Sequence, residues 1–134
     1  MFIINRFSPT TTKAIINTDP VINDQIDRTT EANIAKYRGQ PNQEIRKRIK
    51  ELDYEWDIER TLEINFAVIT LISSLFGLMG RKRWLIFSGV AAYYMIKHVL
   101  QGWCPPLPLF RRLGIRTAKE IRDEQEALRA FLRS

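Results

Sequence analysis

The chain has few of the residues that build metal sites and disulfide bonds. It contains one cysteine and one histidine in 134 residues. A single cysteine excludes an internal disulfide bond and a multi-cysteine zinc site, and a single histidine excludes the metal motifs that need a histidine pair. We therefore expect no resident metal and no cofactor, apart from the weak candidate described below for His98.

Acidic residues are missing from a long internal stretch. No Asp or Glu occurs in residues 64–119, and the only charges in residues 64–110 are Arg81, Lys82, Arg83 and Lys97. The sequence is therefore polar, apolar and polar in three blocks, which is typical of a membrane protein with polar ends. Much of the net charge of +6 borders the apolar block, where anionic lipid headgroups attract basic side chains. Membrane lipids are thus expected partners, whereas nucleic acid is not, because the basic residues of the tails alternate with acidic ones.

Two apolar segments predict a pair of membrane spans. The first, INFAVITLISSLFGLMG at 64–80, has 17 uncharged residues, or about 25 Å of helix. The second, WLIFSGVAAYYMIKHVLQGW at 84–103, has 20 residues bounded by tryptophans. Only three residues join them, so 64–103 predicts a tight antiparallel hairpin, with a soluble core helix as the alternative for the first segment. Small residues spaced four apart favour close helix packing: Ser73 with Gly77, and Ser88 with Ala92.

The N-terminal region, residues 1–41, predicts an arm followed by a weak helix. Residues 1–18 show no clear period and are interpreted as extended or loosely ordered. Asp19 followed by Pro20 indicates a helix start, and Gly39 with Pro41 indicates its end. Such a segment is of the kind that becomes ordered on binding a partner.

Two amphipathic helices are predicted on either side of the hairpin. Residues 42–63 predict a cytoplasmic helix that runs without a breaker into the first span. Residues 104–134 predict a proline-rich exit and a last helix, which the capping box formed by Thr117 and Glu120 opens. The apolar stripes of these helices are Ile45, Ile49, Leu52 and Trp56 in the first, and Ile121, Leu128 and Leu132 in the second.

The distribution of Lys and Arg predicts the orientation. Nine basic residues lie near the outer ends of the hairpin and three lie in its turn. Because cytoplasmic loops carry the excess of Lys and Arg, both termini are expected in the cytoplasm, with two spans in a bacterial inner membrane.

The stretch GWCPPLPLFRRLGIRT, at 102–117, is interpreted as the exit from the membrane. Gly102 ends the helix, Trp103 lies at headgroup level, Cys104 packs in the interface, and the prolines that begin with Pro105 run extended. Two arginines then meet lipid phosphates. A thiol-handling role for Cys104 is the alternative, and it requires a base or a lowered thiol pKa.

Lys97 and His98 place polar groups in the second apolar segment. A histidine in a membrane span can be an axial ligand of a haem or a chlorophyll. The alternative is that the two residues only pair with polar neighbours near the end of the span. Counting back from the hairpin turn, we expect Glu63 to contact Lys97 or His98, and an intramembrane polar pair of Glu63 with Lys97.

Two sequence elements resemble a known family. The YgaP-like transmembrane-domain proteins, which are small bacterial two-span hairpins, are similar to this chain at DIERTLEINFAVITL (57–71) and GWCPPLPLFRRLGIRTAKEI (102–121). Some members also carry a rhodanese domain, which this sequence does not resemble. The matching residues are Arg60, Cys104, Pro105, Leu113, Gly114, Ile115 and Thr117. The resemblance implies an inner-membrane location with cytoplasmic ends. It implies no sulfur transfer, because no arginine stands five positions after Cys104.

These patterns predict an all-α integral membrane hairpin with flanking amphipathic helices. No residues assemble a nucleophile, a base and an oxyanion donor, so we do not expect an enzyme. The predicted function is that of an interaction protein, an accessory or scaffold subunit of a larger membrane complex or a homo-oligomer. Its two apolar stripes would form the partner surface. The alternatives are a cofactor-binding subunit that uses His98 and a thiol-handling protein that uses Cys104.

Overall fold

The computed structural model describes residue 9 and residues 11–133, and this part of the chain is all-α without a strand. The fold class predicted from the sequence is thereby confirmed at this level. The helices are α1 Lys13–Ile16, α2 Pro20–Tyr37, α3 Asn42–Asp53, α4 Ile58–Leu78, α5 Trp84–Gln101, α6 Pro106–Arg112 and α7 Ala118–Arg133. Most of the predicted N-terminal arm lies outside the described residues.

Helix α2 begins and ends where its capping residues predict. The side chain of Asp19 accepts a hydrogen bond from the backbone N–H of Val21 at 2.8 Å, and Pro20 occupies the first helical position. Gly39 follows the helix with a φ of 80°, a left-handed conformation that costs glycine little. The arm departs from its predicted extended form, because Lys13–Ile16 forms the short helix α1.

The predicted continuous helix through residues 42–80 is wrong, because α3 and α4 are separate. The carboxylate of Asp57 accepts a hydrogen bond from the backbone N–H of Arg60 at 2.8 Å and caps the start of α4. An Asp side chain competes in this way with the helical backbone and so favours a new helix start. The break leaves Trp56 outside the apolar stripe and 52% exposed, with the Arg60 guanidinium 5.7 Å from its ring centroid.

Helices α4 and α5 form the antiparallel hairpin. A Cβ atom added to Gly77 would lie 2.3 Å from Cδ2 of Leu85, so the absent side chain makes room for the facing helix. The Ser88 hydroxyl donates to the backbone oxygen of Thr70 at 3.1 Å and lies 3.0 Å from the hydroxyl of Ser74. Gly77, Ser74 and Ser88 therefore line the helix contact, whereas Ala92 of the predicted set is exposed.

One stretch of the described helices is long and apolar enough to cross a membrane, and α4 provides its apolar part. Only 17% of its most apolar window is buried, whereas the core helix of a soluble protein is mostly covered. Helix α5, which carries Lys97 and His98, does not meet this criterion of length and apolarity. Even so, large apolar side chains are exposed along both helices, for example Leu71, Leu78, Ile86 and Ile96.

The remaining helices pack into a base around the open end of the hairpin. Helix α7 packs against α2 and α3, and α6 packs against α2 and α4. One core cluster joins the hairpin to α1 and α6, and a second lies between α3 and α7. The prolines after Cys104 were predicted to run extended, but Pro106–Arg112 forms α6. Pro106 and Pro108 fall in its first turn, where a helix needs no N–H donor.

Candidate functional site

A histidine, a cysteine and a glutamate meet where the hairpin joins the base. The Nε2 atom of His98 lies 2.9 Å from Oε2 of Glu59, and its Nδ1 atom lies 3.9 Å from Sγ of Cys104. His98 and Cys104 are both fully buried. We call Glu59, His98 and Cys104 the junction cluster. Lys13 of α1 approaches the other oxygen of Glu59 at 3.7 Å.

The junction cluster contains an acid that the sequence interpretation did not select. Glu63 was expected to contact Lys97 or His98, but the histidine pairs with Glu59, one helical turn earlier, and Glu63 is exposed. Lys97 instead lies over the ring of Trp103, with Nζ 5.1 Å from the centroid. The predicted Glu63 and Lys97 pair is therefore wrong. The four-residue spacing places Glu59 and Glu63 on one helix face, so the sequence offered both acids as candidates but could not choose between them.

The N-terminal segment covers the junction cluster. Ala14 of α1 packs in the same buried cluster as Cys104, and the Asn17 side chain donates to the backbone oxygen of Gln101 at 2.9 Å. A Cβ atom on Gly102 would lie 2.7 Å from the backbone oxygen of Lys13. Segment 13–18, which we call the strap, thus closes over the end of α5.

The environment of Cys104 opposes thiol chemistry in this conformation. Burial raises the pKa of the Cys104 thiol to about 11, although the backbone N–H of Leu107 acts in the opposite direction. A nearby cavity of about 260 Å³ is lined by Lys13, Ala14 and Glu59 but not by the thiol. Cys104, His98 and Glu59 follow one another like a nucleophile, a base and an acid. The thiol is nevertheless protonated at neutral pH and buried away from any substrate.

The ring of His98 has partners on both sides. Glu59 and Cys104 occupy opposite nitrogens, so they do not converge on a common point. Among the described residues, no group of three or more His, Cys, Asp or Glu side chains is arranged to hold a metal ion. An axial-ligand role for His98 would require one of its two neighbours to leave.

Arg111 is the centre of a buried polar cluster in the base. It was expected to meet lipid phosphates, but its side chain is fully buried and donates to Thr18, Asn23, the backbone oxygen of Ile115 and both carboxylate oxygens of Glu120. These contacts use all five guanidinium donors. Arg111 therefore ties α2, α6 and α7 together rather than binding a ligand.

A second buried cluster surrounds Arg116. The guanidinium of Arg116 donates to both oxygens of Glu55, at 2.9 and 2.6 Å, and to Thr30 at 3.2 Å. It also pairs with the fully buried Glu124, which accepts a hydrogen bond from Nε of Arg48 on α3 and forms an ion pair with the same guanidinium. Because both partners of each buried charge are present, the cluster is fully compensated, as a structural network requires.

The residues of the membrane-exit motif build the connection from α6 to α7. Gly114 has a φ of 88° just after α6. Ile115 packs against the core cluster that joins the hairpin to α1 and α6. The predicted capping box is present: the Glu120 N–H donates to the Thr117 hydroxyl at 3.2 Å, and the Thr117 N–H donates to Glu120 at 2.8 Å. Leu113 and Pro105 are exposed.

The two apolar stripes proposed as a partner surface cover each other. Ile45 and Leu52 of α3 pack with Ile121 and Leu128 of α7, and all four are buried. Ile49 and Leu132 lie at the edge of the same cluster. The interpretation of these stripes as a free binding surface is wrong, because each helix supplies the other's partner.

A groove on the hairpin remains open. It lies between α4 and α5, has a volume of about 500 Å³ and is lined by Ala67, Thr70, Ser74, Ala91 and Ala92 among others. Glu63 lies at its end nearest the base. Among the described residues, the Glu63 carboxylate has no ion-pair partner. Small side chains and one free acid therefore mark this groove.

No protein-family model matches this chain, and no curated protein or solved structure is similar enough to assign it to a family.

Proposed function

We propose that this chain is an integral membrane interaction protein whose two-span hairpin serves as an accessory subunit of a larger membrane complex. The observation that supports it is the outward display of apolar side chains along α4 and α5, which no other described helix covers. In water such a surface would drive aggregation, whereas lipid chains solvate it without cost.

The polar groups of α5 do not argue against a second span. Lys97 and His98 lie next to the base, where His98 is buried against Glu59 and Lys97 stacks on Trp103. Neither needs to face the hydrocarbon.

The position of the base supports a membrane orientation. Helices α2, α3, α6 and α7 all gather at one end of the hairpin, so one face of the membrane would carry both ends of the described chain. These helices hold most of the Lys and Arg residues, which favours the cytoplasmic side of a bacterial inner membrane. The resemblance to the YgaP-like hairpins remains a prediction. It implies the same topology, with two spans and cytoplasmic ends.

We assign the partner surface to the groove between α4 and α5. Ala67 and Ala92, which are both exposed, would let another backbone approach closely, as small residues do between transmembrane helices. Glu63 favours an occupant with a Lys or Arg at the same depth. The occupant is thus a transmembrane helix of a partner subunit with small residues on one face and a basic residue near its cytoplasmic end.

The test is native mass spectrometry of the protein extracted from its own membranes in mild detergent. We expect a heteromeric mass for the natural chain and its loss in Ala67→Leu and Ala92→Leu, which fill the groove at exposed positions. The matched control is Gly89→Leu, because a Cβ atom at Gly89 meets nothing within 4 Å.

Three results would contradict the proposal. A natural chain that appears only as a monomer has no stable partner, and one that appears only as a homodimer has itself as partner. Retention of the heteromer in both leucine variants would remove the groove as the binding surface.

A further inference from the structure

The turn of the hairpin carries three adjacent cations without counter-ions. Arg81, Lys82 and Arg83 are all exposed, and within the described part of the chain none of them forms an ion pair. The buried arginines of the base, in contrast, are fully paired. No carboxylate occurs in residues 64–119, and Glu59 and Glu63 of α4 lie at the opposite end of the hairpin, so no acid is near its turn.

The backbone holds these three residues in a compact turn. Gly80 has a φ of 93° and stops α4, and the N–H of Arg81 returns to the backbone oxygen of Phe76 at 3.3 Å. The N–H of Trp84 then donates to the backbone oxygen of Arg81 at 3.0 Å. The three side chains therefore leave the chain within one short turn and share one location.

Aromatic rings lie directly beneath the turn. The ring of Trp84 lies between Phe76, at a centroid distance of 4.9 Å, and Phe87, at 5.4 Å. Tryptophan concentrates at the boundary between hydrocarbon and headgroups. Leu78 and Met79, which precede the turn, are exposed at 83% and 76% and need an apolar environment. This order places the cations just outside the hydrocarbon layer.

The length of the first span brings the cations to the depth of phosphate groups. Its 17 uncharged residues measure about 25 Å, compared with about 30 Å for a hydrocarbon layer. A span that is shorter than the layer draws its flanking residues inward, and long basic side chains then extend back to the headgroups.

We propose that Arg81, Lys82 and Arg83 form a binding site for the headgroups of anionic phospholipids in the leaflet opposite the base. The inference rests on the proposed membrane hairpin and adds the chemical class of its lipid partner. Each headgroup phosphate offers oxygens to two or more donors, and Arg binds phosphate in a bidentate manner. The bound lipids supply the negative charge that residues 64–119 lack.

Quenching of Trp84 fluorescence by brominated lipids tests the proposal. Trp56→Phe with Trp103→Phe leaves Trp84 as the reporter, and the protein is reconstituted in phosphatidylcholine vesicles that contain one quarter phosphatidylglycerol. Either lipid carries bromine at the same acyl positions. We expect quenching by brominated phosphatidylglycerol to exceed its bulk share by about twofold or more.

Two matched charge variants locate the effect. Replacement of Arg81, Lys82 and Arg83 by Gln is expected to reduce the excess to the bulk share. The control replaces Arg46, Lys47 and Lys50, three exposed cations of α3, by Gln and so removes the same charge from the base. We expect it to leave the excess quenching by phosphatidylglycerol unchanged. The excess quenching of Trp84 can also be obtained from a chain that keeps Trp56 and Trp103. In that case it is the difference in quenching between the natural chain and Trp84→Phe.

The outcomes separate the lipid site from the membrane hairpin. Quenching by both brominated lipids in proportion to their bulk shares would overturn the lipid site and leave the hairpin in place. An excess that persists in the triple Gln variant would also overturn the site. If neither lipid quenches Trp84, the hairpin does not enter the membrane and both proposals fail.

Discussion

Arg111 on α6 and Glu120 on α7 form a buried bidentate ion pair, in which both carboxylate oxygens accept hydrogen bonds from the guanidinium. Glu120 also completes the capping box with Thr117. One carboxylate thus starts α7 and attaches it to α6. The base of the hairpin depends on this pair, because Arg111 also holds Thr18 and Asn23 from the N-terminal region.

Replacing Arg111 by Met is expected to destabilise the base by about 3–5 kcal/mol, because Glu120 would remain buried without its partner. Unfolding in detergent, followed by the circular dichroism of the helices, measures the change. Arg112→Met is the matched control, since Arg112 is exposed, and its expected effect is within about 0.5 kcal/mol. Equal stabilities of the two variants would contradict the assignment.

Acid is expected to weaken the base through Glu120. Burial opposes ionisation of this carboxyl, but the hydrogen bonds from Arg111 and Thr117 outweigh burial and lower the pKa of Glu120 below its ordinary value. A carboxyl with a lowered pKa in the folded state contributes stability at neutral pH. That contribution begins to disappear as the pH falls through the ordinary glutamate range, and it is gone below the lowered value.

Unfolding free energies measured from pH 7 down to pH 2 test this expectation. Glu120→Gln should be less stable than the natural chain at pH 7 and should lose less stability on acidification. Arg129→Gln, which removes an exposed cation of α7 that has no ion-pair partner among the described residues, should retain the natural slope. Parallel pH profiles for Glu120→Gln and the natural chain would show that another group controls the acid response.

We expect the strap to limit access to Cys104, because Ala14 of the strap packs in the same buried cluster as this thiol. In the natural chain the thiol should resist maleimide at neutral pH, because it is buried and its pKa of about 11 leaves about one thiolate in a thousand at pH 8. Gly102→Ala places a Cβ atom 2.6 Å from Cβ of Lys13 and displaces the strap. We expect labelling to become at least about tenfold faster.

Gly114→Ala is the control for that experiment. Gly114 has the same left-handed backbone as Gly102, with φ values of 88° and 82°, but a Cβ atom there meets nothing within 4 Å. Its substitution carries the backbone strain without displacing the strap. If both variants were labelled at similarly increased rates, backbone strain alone would explain the exposure of Cys104, and displacement of the strap would not be needed.

Close packing at Gly77 is expected to hold the far half of the hairpin together. Gly77→Val would overlap the side chain of Leu85 and should cost about 1–3 kcal/mol. Gly89→Val faces open space and should cost less. Stability measured by titration with a denaturing detergent provides the comparison. Leu85→Ala should restore part of the loss in Gly77→Val, and the absence of any rescue would place the strain elsewhere.

Local chemistry in the sequence was sufficient to predict several elements. Asp19 with Pro20 predicted the start of α2, and Thr117 with Glu120 predicted the start of α7, because each cap is formed by residues within three positions. The apolar segment at 64–80 predicted a membrane span from its composition, and the structure has a helix there that is long and apolar enough to cross a membrane. The break at Asp57 was missed although its cap is equally local.

Contacts between distant residues were decided only by the tertiary structure. His98 and Glu59 are 39 positions apart, and nothing in the spacing distinguishes Glu59 from Glu63 until the register of α4 against α5 is known. The expected exposure of Arg111 was wrong because burial depends on where Glu120 and Thr18 fold.

The sequence alone determined that this protein consists of helices with an apolar central part, because caps, turns and apolar runs act over a few residues. It also showed two amphipathic stripes. Only the tertiary structure decided that Leu52 and Leu128 cover each other and that the groove beside Glu63 stays open. An apolar face specifies that it must be buried, but not which surface buries it, and that choice depends on the geometry of the whole chain.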